Sequence, residues 1–93
     1  MLTGGAIGAG MPMAIGAAVA APDRKVVSFN GDGAAAYTLQ SLWTMAREGL
    51  DVTTVVFANH AYRILNIELS RTCSGDAGPA ASRLLDLGDP RMD

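Results

Sequence analysis

The hydrophobic pattern changes period several times along this chain. From Pro12 to about Ala21 apolar or small residues surround the whole helical circumference. Met11, Ile15, Ala18 and Val19 fall on one side, and Met13, Ala14, Ala17 and Ala20 on the other. That pattern predicts a helix buried on several sides. Its first turn holds a proline, where a missing N–H costs nothing, and it stops at Pro22-Asp23. Lys25–Asn30 is a short β-prone run that feeds into the turn Gly31-Asp32-Gly33. Between Ala34 and about Glu48, the residues Leu39, Leu42, Trp43 and Ala46 recur at helical spacing, with Leu50 beyond. One amphipathic helix, ended at Gly49, is the prediction. Val52–Ala58 is apolar or β-branched at nearly every position, as expected of a parallel strand covered on both faces.

Helix, strand, helix, strand in that order predicts an α/β fold: a partial doubly wound parallel sheet with right-handed crossover helices. After Asn59 the pattern weakens. Tyr62, Leu65, Ile67 and Leu69 predict a short helix, Arg71–Ser82 reads as loop by composition, and the stretch from Leu84 to Pro90 ends in turn residues. The sequence carries no internal repeat and no linker. Two strands are too few for a covered parallel sheet, so residues 1–93 are expected to be the N-terminal portion of one domain, a fragment of a larger fold.

Composition sharpens this picture. Hydrophobic residues make up 49% of the chain and charged residues only 17%, below the roughly 25% usual for globular domains, so much of the surface is expected to be covered. Seven Lys and Arg stand against nine Asp and Glu, a formal net charge of −2. With no block of like charges, the chain lacks the footprint of a nucleic-acid or acidic-membrane binder. Cys73, the single cysteine, cannot close an internal disulfide, and with His60 as the single histidine there is no zinc-type cluster. Residues 1–22 are uncharged and compete as a secretory signal. Nothing basic precedes Arg24, however, and Gly4, Gly5, Gly8, Gly10 and Pro12 interrupt any apolar core. The same Gly and Ala content argues against a membrane span, and a cytoplasmic location is expected.

The candidate chemistry lies at Gly31-Asp32-Gly33 and at Asn59. A helix of some 15 residues travels about 22 Å back along the sheet, and a strand of about 7 residues returns about 23 Å. Asp32 and Asn59 are thereby predicted at the same carboxyl edge of adjacent strands, where open α/β sheets bind ligands. The helix beginning near Ala34 would add free N–H groups and a positive dipole end, suited to phosphate. A carboxylate, an amide oxygen and a phosphate are the donors magnesium prefers, and the Ala61 carbonyl offers one more. His60 suits softer metals better. Asp32 equally reads as an ordinary N-cap in a tight turn. A nicotinamide or flavin domain is the weaker reading, because the early glycines run G-x-x-G-x-G with no strand before them.

Taken together, Gly4-Gly5-Ala6-Ile7-Gly8-Ala9-Gly10-Met11-Pro12 and the long span from Gly31-Asp32-Gly33 to Asn59 resemble the diphosphate-binding domain of thiamine diphosphate enzymes. Within them the resemblance is to the acetolactate synthase and benzoylformate decarboxylase group acting on 2-keto acids. It covers the whole chain and implies the thiamine diphosphate-binding fold, with thiamine diphosphate and Mg2+ as cofactors. It implies that Asp32, Asn59 and the Ala61 carbonyl hold Mg2+, while Gly31, the Gly33 and Ala34 N–H groups and Tyr62 border the diphosphate. Ile7 would support the bent cofactor, and the Gly5 carbonyl would accept from the aminopyrimidine amino group. Leu65 and Glu68 would face the substrate, with core packing and a solvated charge as the competing readings.

Two positions depart from relatives: Ala34 replaces a frequent hydroxyl residue, and the paired asparagines are reduced to Ala58-Asn59, of which the metal-binding one is retained. At Leu65, where some pyruvate decarboxylases carry an acid, the leucine resembles the benzoylformate decarboxylase and acetolactate synthase side. The family's catalytic glutamate comes from a separate pyrimidine-binding domain, usually of a neighbouring subunit in a homo-oligomer, and no segment here matches it. No catalytic residue is therefore expected in this chain. A non-catalytic assembly module that kept the fold is the alternative.

Overall fold

The computed structural model describes residues 4–72 and 78–90; Cys73 and the centre of the expected Arg71–Ser82 loop lie outside them. The chain divides into two compact units, Met1–Phe57 and Ala58–Asp93. In the first, a Gly-rich loop leads into α1 (Gly10–Ala20), followed by β1 (Val26–Gly31), α2 (Asp32–Tyr37), α3 (Ser41–Arg47) and β2 (Val52–Phe57). The strands pair in parallel, with Val26 beside Val52 and Gly31 beside Phe57. Both carboxyl ends therefore finish at one edge, as the α/β reading requires.

The core lies between one face of this sheet and the helices. Met11, Ala14, Ala35 and Met45 form its centre, with Ile15, Val26 and Val52 packed against them. Small residues let the helices and strands approach closely, and Met11, only 1% exposed, is the largest fully buried side chain among the described residues. The alternation of β1 turns Val26, Ser28 and Asn30 inward, and leaves Val27 and Phe29 outward. Phe29 and Phe57 stack across the outer face at 6.0 Å between ring centroids, yet Phe29 remains 67% exposed.

Several expectations are corrected here. α1 is not buried on several sides: Met11, Ala14 and Ala18 are enclosed, while Met13 and Val19 are exposed because no described segment packs on that side. For the same reason the strands are covered on one face only. The helix expected over residues 34–48 is two helices. At Thr38-Leu39-Gln40 the backbone turns, with the Thr38 N–H donating to the Ala35 carbonyl and the Ser41 N–H to the Thr38 carbonyl. Helical spacing of apolar residues is blind to such a break. The predicted stripe also points the wrong way, for Leu39, Leu42 and Trp43 are exposed and the buried positions of α3 are Ser41 and Met45. Trp43 instead lies under the Arg47 guanidinium at 5.1 Å, a cation–π contact at the surface.

The second unit contains α4 (Arg63–Thr72) and α5 (Pro79–Leu85), so the stretch read as loop begins and ends in helix. Pro79 occupies the first helical position after an extended Gly78, where its fixed φ and absent N–H suit a helix start. Composition alone reads Gly-Pro-Ala-Ala-Ser as a turn. Neither helix buries a residue. Among the described residues, no helix is long and apolar enough to cross a membrane.

Candidate functional site

Two backbone features lie by the tip of β1 in the first unit, and a third follows β2 in the chain, within the second unit. The first is the turn into α2. Gly31 is its extended N-cap and Asp32 its first helical residue, not the cap itself. The Asp32 carboxylate accepts from the Gly33 N–H at 2.9 Å and is only 2% exposed. A carboxylate so enclosed is costly unless donors or a cation offset its lost hydration, and the Gly33 N–H supplies one donor. Gly33 is buried and Ala34 half-buried beside it. α2 has six residues, so the long-helix dipole expected at Ala34 is replaced by a single turn and a half of aligned peptides; the local N–H groups matter more.

The second feature is the Gly-rich loop, in which Gly5 and Ile7 are exposed. Gly8 has φ +85°, and a Cβ there would come within 2.7 Å of the Tyr37 Cβ. Only glycine meets both demands. The Thr38 hydroxyl donates to the Gly8 carbonyl at 2.7 Å. Two residues on, a Cβ at Gly10 would collide with the Asn30 side chain, whose Nδ2 donates to the Ser28 hydroxyl at 2.8 Å. Asn30, Ser28 and Thr38 escaped the sequence reading. Their partners lie up to 30 residues away, and a hydroxyl inside an apparent helix gives no signal of a tertiary bond.

The third feature is the tip of β2, which ends at Phe57, two residues before Asn59 in the chain. Within the second unit, Asn59 Oδ1 accepts from the Ala61 N–H at 3.0 Å, an Asx turn. His60 adopts φ +56°, unusual for a residue with a Cβ, and its carbonyl accepts from the Leu87 N–H. Tyr62 donates its N–H to the Leu85 carbonyl at 2.9 Å, and Ala61 pairs with Asp86 as an isolated antiparallel bridge. The turn from Asn59 to Tyr62 is thus fixed by main-chain bonds.

Leu65 and Glu68 share a groove of about 320 Å³ between α4 and α5, lined also by Leu69, Thr72 and Leu84. Glu68 pairs with Arg71 at 3.0 Å within α4.

The donor chemistry fits a hard cation and a phosphate ester. Among the described residues no three His, Cys, Asp or Glu gather into a metal-holding cluster. Each of these oxygens, the Asp32 carboxylate in the first unit and the Asn59 amide and Ala61 carbonyl in the second, is a hard donor of the kind Mg2+ takes in preference to softer metals.

Comparison with known proteins gives the family. The family model for the thiamine pyrophosphate enzyme C-terminal TPP-binding domain matches residues 2–85. A Mycobacterium tuberculosis protein named acetolactate synthase large subunit IlvX is 60% identical over 93 residues, covering 99% of this chain and 18% of the relative. An alpha-keto-acid decarboxylase of Mycobacterium avium is 47% identical over 75 residues, covering 81% of this chain and 12% of its own length. Its namesake in Mycobacterium tuberculosis is 45% identical over 75 residues, with the same coverage of 81% and 12%. The chain spans less than a fifth of the length of these curated relatives. The chain belongs to the C-terminal, TPP-binding domain family of thiamine pyrophosphate enzymes.

Proposed function

We propose that this chain supplies the cofactor-anchoring part of a 2-keto acid decarboxylase or of an acetolactate synthase-like carboligase. Asp32, Asn59 and the Ala61 carbonyl hold Mg2+, and the Gly33 and Ala34 N–H groups meet the diphosphate, with Gly31 and Tyr62 bordering it. The Gly5 carbonyl and Ile7 receive the aminopyrimidine end, and Leu65 and Glu68 face the keto acid. The observation that carries the reading is the enclosed Asp32 carboxylate, set at the carboxyl edge of two parallel strands inside a glycine-lined turn. Mg2+ at this carboxylate would offset the cost of its burial and draw in the diphosphate.

Bound thiamine diphosphate supplies an electron sink for decarboxylation and carbon–carbon bond formation. The chain's own residues bind and orient it. The Gly33 N–H, which donates to Asp32 Oδ1, and the Ala34 N–H would be the main-chain donors to the diphosphate. Ala34 offers a main-chain donor only, which gives the diphosphate one bond fewer than a hydroxyl residue would. The glutamate that activates the cofactor belongs to a pyrimidine-binding domain of the same or a neighbouring subunit in a homo-oligomer, in the cytoplasm. The residues described here are the N-terminal portion of the diphosphate domain.

Calorimetric titration with thiamine diphosphate, with and without Mg2+, tests this reading on the chain and on Asp32→Ala. The chain is expected to take up cofactor only with Mg2+, and the variant to lose at least a hundredfold in affinity. Equal heats from both proteins would end the assignment. The uncovered apolar face carrying Val27, Phe29 and Phe57 supports a second reading, a non-catalytic assembly module. Association with a full-length relative without cofactor uptake would favour it, and restored keto-acid decarboxylation would favour the first.

A further inference from the structure

Resting on the cofactor reading above, we propose that Thr38 is a positioning residue. It ties the loop that receives the aminopyrimidine end to the helix whose first turn receives the diphosphate, so that one rigid cradle holds both ends of the cofactor. The tie is the bond from the Thr38 hydroxyl to the Gly8 carbonyl, 2.7 Å long and partly buried, a short and favourable O–H···O distance.

The backbone around Thr38 leaves the hydroxyl nothing else to do. Its N–H donates to the Ala35 carbonyl and its carbonyl accepts from Ser41, so its main chain is spent on joining α2 to α3. The hydroxyl does not cap α3 either, for the N-cap of that helix is Gln40 and it has no side-chain cap bond. Thr38 instead reaches across 30 residues of sequence. Gly8 complements it: φ +85° and a Cβ position 2.7 Å from the Tyr37 Cβ and 3.3 Å from the Thr38 Cγ2 show its backbone lying against residues 37 and 38.

Contact between Gly10 and Asn30 fixes the loop a second time, at the entry to α1. That second clamp bears on the start of the helix and not on Gly5 or Ile7. Upstream of Gly8, the described residues give the loop one main-chain bond, from the Ala9 N–H to the Ala6 carbonyl at 3.3 Å. The Thr38 hydroxyl is therefore the side chain that sets where Gly5 and Ile7 stand. α2 is only six residues long, about 9 Å at its rise per residue, so the tie at Thr38 and the turn at Asp32 to Ala34 belong to one rigid piece.

The test compares Thr38→Val, which keeps the branched shape and removes the donor, with Thr38→Ser, which keeps the donor. Each is titrated, in Mg2+, with thiamine diphosphate and with inorganic pyrophosphate, which has no aminopyrimidine. Thr38→Val is expected to bind thiamine diphosphate about tenfold more weakly, in keeping with one lost hydrogen bond, and pyrophosphate within about twofold of the parent. Thr38→Ser is expected to bind both ligands as the parent does. Amide hydrogen exchange without ligand is expected to quicken at residues 4–9 in Thr38→Val alone, with α1 unchanged. Equal weakening toward both ligands, no weakening toward either, or unaltered exchange in the loop would overturn the proposal. If the parent chain takes up neither ligand, the cofactor reading itself fails. The exchange experiment tells that outcome apart from failure of the tie, because it needs no ligand.

Discussion

Each of the two units is held together internally by a different kind of force. Every described side chain that is fully enclosed lies between Met11 and Met45, in the first unit; helices α4 and α5 of the second bury none. The first unit positions Asp32 by packing: Met11, Ala14, Ala35 and Met45 fill the space behind β1 and α2. The second positions Asn59 by hydrogen bonding, through its Asx turn and the main-chain bonds that residues 85 and 87 make to the turn. A divalent ion that used both residues would therefore be gripped by one ligand set in a core and another set on a backbone scaffold. Sensitivity to mutation should differ accordingly.

The sharpest contrast comes from Met11→Ala. Truncating a methionine that is 1% exposed is expected to destabilise the first unit by about 3 kcal/mol, measured by urea denaturation followed by circular dichroism. A loss below about 1 kcal/mol would show that packing does not govern this unit. Asn59→Ala should have a smaller and different effect, weakening Mg2+-dependent cofactor uptake about tenfold, or roughly 1.4 kcal/mol, with the urea midpoint of the first unit unchanged. If the midpoint fell with the affinity, the two residues would not be independently supported. Leu84→Ala, at a position 78% exposed, is expected to shift stability by no more than about 0.5 kcal/mol. A larger loss would mean that the α4–α5 groove contributes a core of its own.

The first unit was the more legible in sequence, for a physical reason. β1, β2 and α1 fall within two residues of their expected limits because period and punctuation act locally: β-branched runs, a proline near a helix start, glycines at strand ends. The failures all involve information carried between distant residues. The break at Thr38 arises in a stretch whose apolar spacing continues undisturbed through it, and the exposed Leu39, Leu42 and Trp43 keep that spacing without facing the core. The start of α5 was hidden because proline and glycine mark a turn and a helix entry alike. At the candidate site, Asp32 and the strand tips followed from the order of elements, whereas the ties at Gly8 and Gly10 depend on which side chains meet them after folding.

The antiparallel bridge between Ala61 and Asp86 has an evolutionary corollary. Its two flanking bonds run from the Tyr62 amide to the Leu85 oxygen and from the Leu87 amide to the His60 oxygen, so the identities of residues 85 to 87 are unconstrained by them. The Asp86 side chain is held separately, by the Gly88 N–H that donates to its Oδ1 at 2.8 Å, so in homologous chains the bridge itself asks only that the path of the polypeptide be retained and that no proline remove the donor at 62 or 87.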